Sequence, residues 1–188
     1  MKILDIHRYD EGKSRGRIGY AAGAFDLFHA GHLNLLRRAK SQCDFLIAGV
    51  VSDKMLRLKK GITPVVPLKE RLEIVRNIRF VDLAVAEILP NKLDTWRHFK
   101  FDIFFKGDDW RGTEKGRRLE LEFAAVGVQV VYFPYSQATS STALRKALAN
   151  IDRLAQRPTI NSSRLDATLP DPNLLLGDYR SQLCETWP

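Results

Sequence analysis

Cysteine is nearly absent: Cys43 and Cys184 are the only two in 188 residues, and neither belongs to a CxxC or Cys/His cluster. That excludes a disulfide framework and a structural zinc site of the usual spacing. Also missing is any apolar run approaching the roughly 20 residues needed to cross a bilayer. The opening segment, MKILDIHRYDEGKSRGR, lacks the hydrophobic stretch of a secretory signal. There is no internal repeat and no low-complexity tract. Acidic residues are the scarcer charge, 22 Asp and Glu against 30 Lys and Arg, which leaves a net charge of +8 and favours anionic partners. Apolar residues make up 45% of the chain, enough to bury a core without covalent or metal staples. These features predict a cytoplasmic protein with no membrane partner.

Short apolar runs alternate with helical patterns. Phe45 to Val51 is a continuous apolar run of strand length, as expected for a strand covered on both faces. Shorter runs are Ile18 to Ala22, Val81 to Ala86, Asp102 to Phe105 and Val128 to Phe133. Leu68, Leu72, Val75 and Ile78 share one face of a helix predicted over Pro67 to Arg79, with Pro67 suited to its first turn. Leu33, Leu36 and Ala39 mark another helix. Leu119, Phe123 and Val126 mark a third, and Leu144 to Leu154 a fourth. Five strands alternating with helices predict an α/β fold: a doubly wound, Rossmann-like, five-stranded parallel sheet with helices on both faces. The expected organisation is an irregular lead-in over 1–16, one domain over 17–154 and a C-terminal extension over 155–188. The extension holds four of the eight prolines and shows no clear period.

In such a sheet, ligands bind beyond the carboxyl ends of the strands, and four motifs fall there. The first is Gly23-Ala24-Phe25-Asp26-Leu27-Phe28-His29-Ala30-Gly31-His32, which runs straight into a helix. Gly31 permits close backbone approach, the open N–H groups of a helix start favour an anion, and His29 and His32 can donate to phosphate oxygens. The two histidines have no third partner in the sequence that would make them a metal site. The second motif is basic: Lys59-Lys60, then Arg71 and Arg79, which lie about two turns apart on the predicted helix. The third is Gly107-Asp108-Asp109-Trp110 after the fourth strand, where a carboxylate can accept from the exocyclic amine of a base. The fourth is Tyr135-Ser136-Gln137-Ala138-Thr139-Ser140-Ser141-Thr142, a hydroxyl-rich helix start suited to capping or to holding phosphate.

The segment GAFDLFHAGHLNLLRRA resembles the HxGH signature of the nucleotidylyltransferase superfamily in its cytidylyltransferase form, with glycerol-3-phosphate cytidylyltransferases the nearest family. The resemblance extends from about Arg17 to Ala149, with the motifs in the family's order. It implies a nucleoside triphosphate substrate, Mg2+, release of pyrophosphate and a homodimer. It also implies roles. His29, His32, Lys59, Arg71 and Arg79 would be catalytic. Gly23, Ala24, Phe25, Gly31, Asp109, Trp110, Ser140, Ser141 and Thr142 would bind the nucleotide, and Lys59, Arg71 and Tyr135 the acceptor. The chain departs from the family where Tyr135 replaces an arginine, Gln137 a glutamate and Ala24 a small hydroxyl residue.

The resulting expectation is transfer of CMP from CTP to a small phosphate- or phosphonate-bearing acceptor. The acceptor oxygen is itself the nucleophile, so no catalytic base is assigned. Two other readings stand beside it. Arg57-Leu58-Lys59 and Pro67-Leu68-Lys69-Glu70-Arg71 echo adenylyltransferases that use ATP and a sugar phosphate, whereas the Asp-Asp-Trp segment favours cytidine. A basic nucleic-acid-binding module would account for the net charge, but the chain carries no RNA-binding motif, so no nucleic-acid partner is expected.

Overall fold

The computed structural model describes residues 16–134 and 139–155; the lead-in before Gly16, Tyr135 and the extension beyond Ala155 lie outside the described residues. The elements run β1 (Ile18–Gly23), α1 (Ala30–Lys40), β2 (Phe45–Val51), α2 (Asp53–Lys60), α3 (Leu68–Arg76), β3 (Leu83–Glu87), α4 (Lys92–Phe99), β4 (Ile103–Gly107), α5 (Glu114–Ala124), β5 (Gln129–Phe133) and α6 (Ser141–Ala155). A 3-10 turn, Asp108–Trp110, follows β4. The sheet and the site described below lie in the unit that ends at Ile151.

All strand pairings are parallel, in the order β3-β2-β1-β4-β5. The winding direction reverses at β1, so the crevice between the ends of β1 and β4 is the topological switch point. Strand alternation sorts the core into two layers. Ala21, Ala48, Val50, Ile103 and Phe105 pack toward Leu36 and Ala39 of α1 and Val75 of α3. Tyr20, Ile47 and Phe104 pack on the other face, with Leu93 and Trp96 of α4 and Leu119 and Phe123 of α5. Helices therefore cover both faces, as the apolar strand runs require.

Two helices are absent from the periodicity reading. Helix α2 is short and basic, but it is well bounded. Ser52 Oγ accepts the Met55 N–H at 3.3 Å, and Gly61 closes the helix at φ +62°, a left-handed conformation that glycine adopts without strain. Helix α4 starts at Asn91, whose side chain accepts the Leu93 N–H, and ends on Lys100 at φ +48°. Helix α3 stops earlier than its apolar spacing predicts. Asn77 turns its amide back onto the Glu73 carbonyl at 2.9 Å, competing with further helical bonds, and Arg79 falls outside the helix.

Candidate active site

The turn from Gly23 to His29 contains the most unusual backbone among the described residues. Phe25 and Leu27 both have positive φ, at +50° and +49°, a region costly for bulky side chains. The surroundings hold them there. The Phe25 ring is 2% exposed within the core, and Ser141 Oγ donates to the Asp26 carbonyl at 2.8 Å. The Asp26 carboxylate, 1% exposed, accepts the N–H groups of Val65 and Val66 and the Arg145 guanidinium at 2.9 Å. Burial pulls the Asp26 carboxyl upward, but those backbone bonds and Arg145 outweigh it and hold the group below its usual range.

Arg71 completes the brace, in a place different from the one the resemblance implies. Its side chain is fully buried. Nε donates to the Val66 carbonyl at 2.8 Å, Nη1 to the carbonyls of Ala24 and Val51, and Nη2 to Asp53 at 2.5 Å. With its donors turned onto its own chain, the guanidinium supports the turn and does not face the cavity. Arg79 is exposed, with its guanidinium 5.4 Å from the centre of the Phe80 ring. Lys59 is exposed and donates to the Pro90 carbonyl.

A cavity of about 320 Å3 opens at the switch point, lined by Gly23, Ala24, Phe25, His29, Gly31, His32, Asp109, Ser140, Ser141 and Thr142 among the nominated residues. Neither Arg71, Arg79, Lys59 nor Trp110 lines it. Trp110 is half-buried against the α4–α5 side of the core, under the Lys106 ammonium. The lining also includes Asp26, Arg38, Lys60, Lys106 and Arg145, none of which the motifs singled out for a role. Lys106 was legible: on β4 it alternates with Phe105 and stands at a strand end, where this fold binds ligands. Asp26 sits inside the first motif, and only the tertiary contacts reveal its bonds.

Two helix N-termini meet at the cavity. His29 caps α1, its Nδ1 accepting the Gly31 N–H at 3.0 Å. Ser140 caps α6, its Oγ accepting the Ala143 N–H at 3.1 Å. Because Nδ1 of His29 accepts, the proton of the neutral ring is on Nε2, which lies 3.4 Å from Ser141 Oγ. The His29 and His32 rings lie side by side, tilted by 31° with centroids 4.1 Å apart. Burial lowers both: His29 falls below its ordinary value. His32 falls to about 4, burial leading, the neighbouring His29 adding to it and Asp26 partly opposing it. Near neutrality the pair is uncharged, two N–H donors beside two positive helix ends. Among the described residues, no group of three His, Cys, Asp or Glu is placed to hold a metal, and no helix is long and apolar enough to cross a membrane.

A doubly wound sheet with paired helix ends and paired imidazoles at its switch point defines a class of phosphate-handling α/β proteins. Sequence comparison narrows the class. Residues 20–164 match the family model described as Cytidylyltransferase-like. The chain is 32% identical over 136 residues to the glycerol-3-phosphate cytidylyltransferase of Bacillus subtilis, covering 69% of this chain and 95% of that one. It is 33% identical over 162 residues to the ethanolamine-phosphate cytidylyltransferase of Arabidopsis thaliana, covering 81% of this chain but only 38% of that protein. Among solved structures, the lipopolysaccharide core biosynthesis protein of Thermoplasma volcanium superposes with a TM-score of 0.57 at 26% identity, over 66% of this chain and all of the other. The chain therefore belongs to the cytidylyltransferase-like family of nucleotidyltransferases.

Proposed function

We propose that the chain transfers CMP from CTP to a small phosphate- or phosphonate-bearing acceptor. The observation that carries this reading is the convergence of two helix N-termini and a neutral histidine pair on one cavity at the switch point. An acceptor oxygen attacks the α-phosphorus, a new P–O–P link forms, the α–β bridging P–O bond breaks, and pyrophosphate leaves. The nucleophile is already an anion, so the residues have no proton to remove. Their work is positioning and charge stabilisation.

His29 Nε2–H and His32 donate to α-phosphoryl and bridging oxygens, where negative charge grows. Gly31, Ser140, Ser141 and Thr142 hold the rest of the triphosphate at the ends of α1 and α6. Neutral imidazoles suit this task, since each keeps a donor across the ordinary pH range without a change of charge. Asp109, exposed at the end of β4, accepts from the cytosine amine. Magnesium enters on the triphosphate as part of the substrate. The chain works as a homodimer in the cytoplasm.

The choice of cytidine over adenine rests on Gly107-Asp108-Asp109-Trp110. Glycerol 3-phosphate is expected to be a poor acceptor, because tyrosine at position 135 supplies one hydroxyl where the related enzymes have a guanidinium fork. A panel of triphosphates and small phospho-acceptors, scored by pyrophosphate release, tests both points. Release that needs CTP and a phosphonate or phosphate acceptor supports the reading. Faster release with ATP and a sugar phosphate moves the protein to adenylyl transfer, and efficient use of glycerol 3-phosphate overturns the acceptor argument.

A further inference from the structure

Four lysines gather on the α4 side of the cavity: Lys59 and Lys60 at the end of α2, Lys92 at the start of α4, and Lys106 at the end of β4. Lys59, Lys60 and Lys106 each weaken the protonation of Lys92, and Lys59 and Lys60 that of Lys106. The fold answers two of them. Lys92 pairs with the buried Glu87, which also accepts from Tyr20, and Lys59 donates to Pro90. Lys60 and Lys106 are the two that line the cavity. Among the described residues, neither ammonium group makes an ion pair or hydrogen bond. The Lys106 ammonium has the face of Trp110, 4.4 Å from the ring centre, an arrangement that attracts a cation without neutralising it.

Strand alternation places this pair apart from the histidines. Phe105 faces α1 and α3, whereas Phe104 faces α4 and α5, so Lys106 stands on the α4–α5 face. His29 and His32 belong to α1 on the opposite face. The cavity thus has a histidine flank, which also carries Arg38 of α1, and a lysine flank, on either side of the sheet end. With Arg71 occupied by the brace and Arg79 outside the lining, the lysine flank is without an arginine from that motif.

We infer that Lys106 joins Lys60, a lysine of the basic motif, in seating the acceptor's phosphate or phosphonate dianion, and that the pair selects dianions over monoanions. The word acceptor rests on the cytidylyltransferase reading; the anion seat does not. Two ammonium groups held close repel, and a doubly charged group relieves both, whereas a monoanion leaves one unmatched. Burial pushes Lys106 down to about 8, with Lys60 and Lys59 adding to it and Asp109 opposing. Lys92, paired with Glu87, also faces it. The seat therefore loses charge as pH rises through that value.

The test uses the full chain and two simple probes: methyl phosphate, a dianion at neutral pH, and dimethyl phosphate, a monoanion. Binding is followed by 31P NMR in the wild type, Lys106→Met, Lys106→Arg and His29→Ala, with thermal melts confirming folding. Methyl phosphate is expected to bind the wild type in preference to dimethyl phosphate. It should bind Lys106→Met about tenfold to a hundredfold more weakly, recover in Lys106→Arg and remain in His29→Ala. Wild-type affinity should fall between pH 7 and 9.5, while Lys106→Arg stays flat. Absence of methyl phosphate binding, indifference to Lys106→Met, or loss in His29→Ala instead would overturn the assignment. So would a fall in MgCTP affinity in Lys106→Met, which would give the lysines to the triphosphate. Methyl phosphate binding that depends on Lys106 in a protein that ignores MgCTP would sustain the seat and sink the nucleotide reading.

Discussion

The two flanks of the cavity are built on opposite principles. Around His29 the polar groups that shape the turn are partnered within the fold: Asp26 by Val65, Val66 and Arg145, Arg71 by three carbonyls and Asp53, Ser141 by the Asp26 carbonyl. Around Lys106 two ammonium groups stand without an ion pair among the described residues, and only the nearby Asp109 carboxylate favours the charge of Lys106. The first arrangement fixes donors before substrate arrives, which is what stabilising a fleeting charge requires. The second stores repulsion that an incoming anion relieves. Basic residues thus serve two ends here, and the partners the fold supplies, not position in a motif, separate them.

The contrast can be broken at several places. The largest effect is expected at the brace. Arg71→Met keeps the volume but strands the carbonyls of Ala24, Val51 and Val66 and leaves Asp53 unpaired. Loss of one partner from such a buried network typically costs about 3–5 kcal/mol, so urea unfolding should show a large drop. A drop below about 1 kcal/mol would mean that Arg71 does not hold the turn.

Next comes His29→Ala, expected to lower turnover by about 10²–10³, the scale for removing one donor to a developing oxyanion. The melting curve should change little, since only a cap bond and ring packing are lost. Unchanged turnover would remove His29 from the chemistry.

Third is a pH effect. His32 is held at about 4 in the folded chain against an ordinary value of 6.5, so between these values the unfolded chain binds the extra proton. Stability is full above the ordinary value and is lost as pH falls toward 4, by about 3 kcal/mol. His32→Gln should flatten that part of the stability profile; an equally steep profile would place the slope on other groups. The smallest change is Ser141→Ala, which removes one hydroxyl bond to the Asp26 carbonyl and should cost about 0.5–1.5 kcal/mol while shifting the pH response of His29.

Much of this architecture was legible beforehand. Phe45 to Val51 is a strand with the bounds its apolar run implies, and a helix follows the first motif directly. Helices α2 and α4 were not legible by periodicity because each spans only eight residues, too few to establish a period. Their caps, Ser52 with Gly61 and Asn91, were the available signal. Ten nominated residues line the cavity because HxGH-type and hydroxyl-rich motifs sit at helix starts, and local sequence specifies those. The arginines could not be read that way. Whether a guanidinium turns inward or toward a ligand depends on which carbonyls the fold places around it, and two of the three facing Arg71 come from Ala24 and Val51, distant in the chain.

The most direct test of cytidylyl transfer at this cavity is calorimetric titration of the full chain with MgCTP in the wild type, His29→Ala and Lys106→Met. The account predicts one site per chain, tighter for MgCTP than for MgATP, weakened in His29→Ala and preserved in Lys106→Met. Absence of MgCTP binding to the wild type, or binding indifferent to His29 and lost with Lys106, would contradict it.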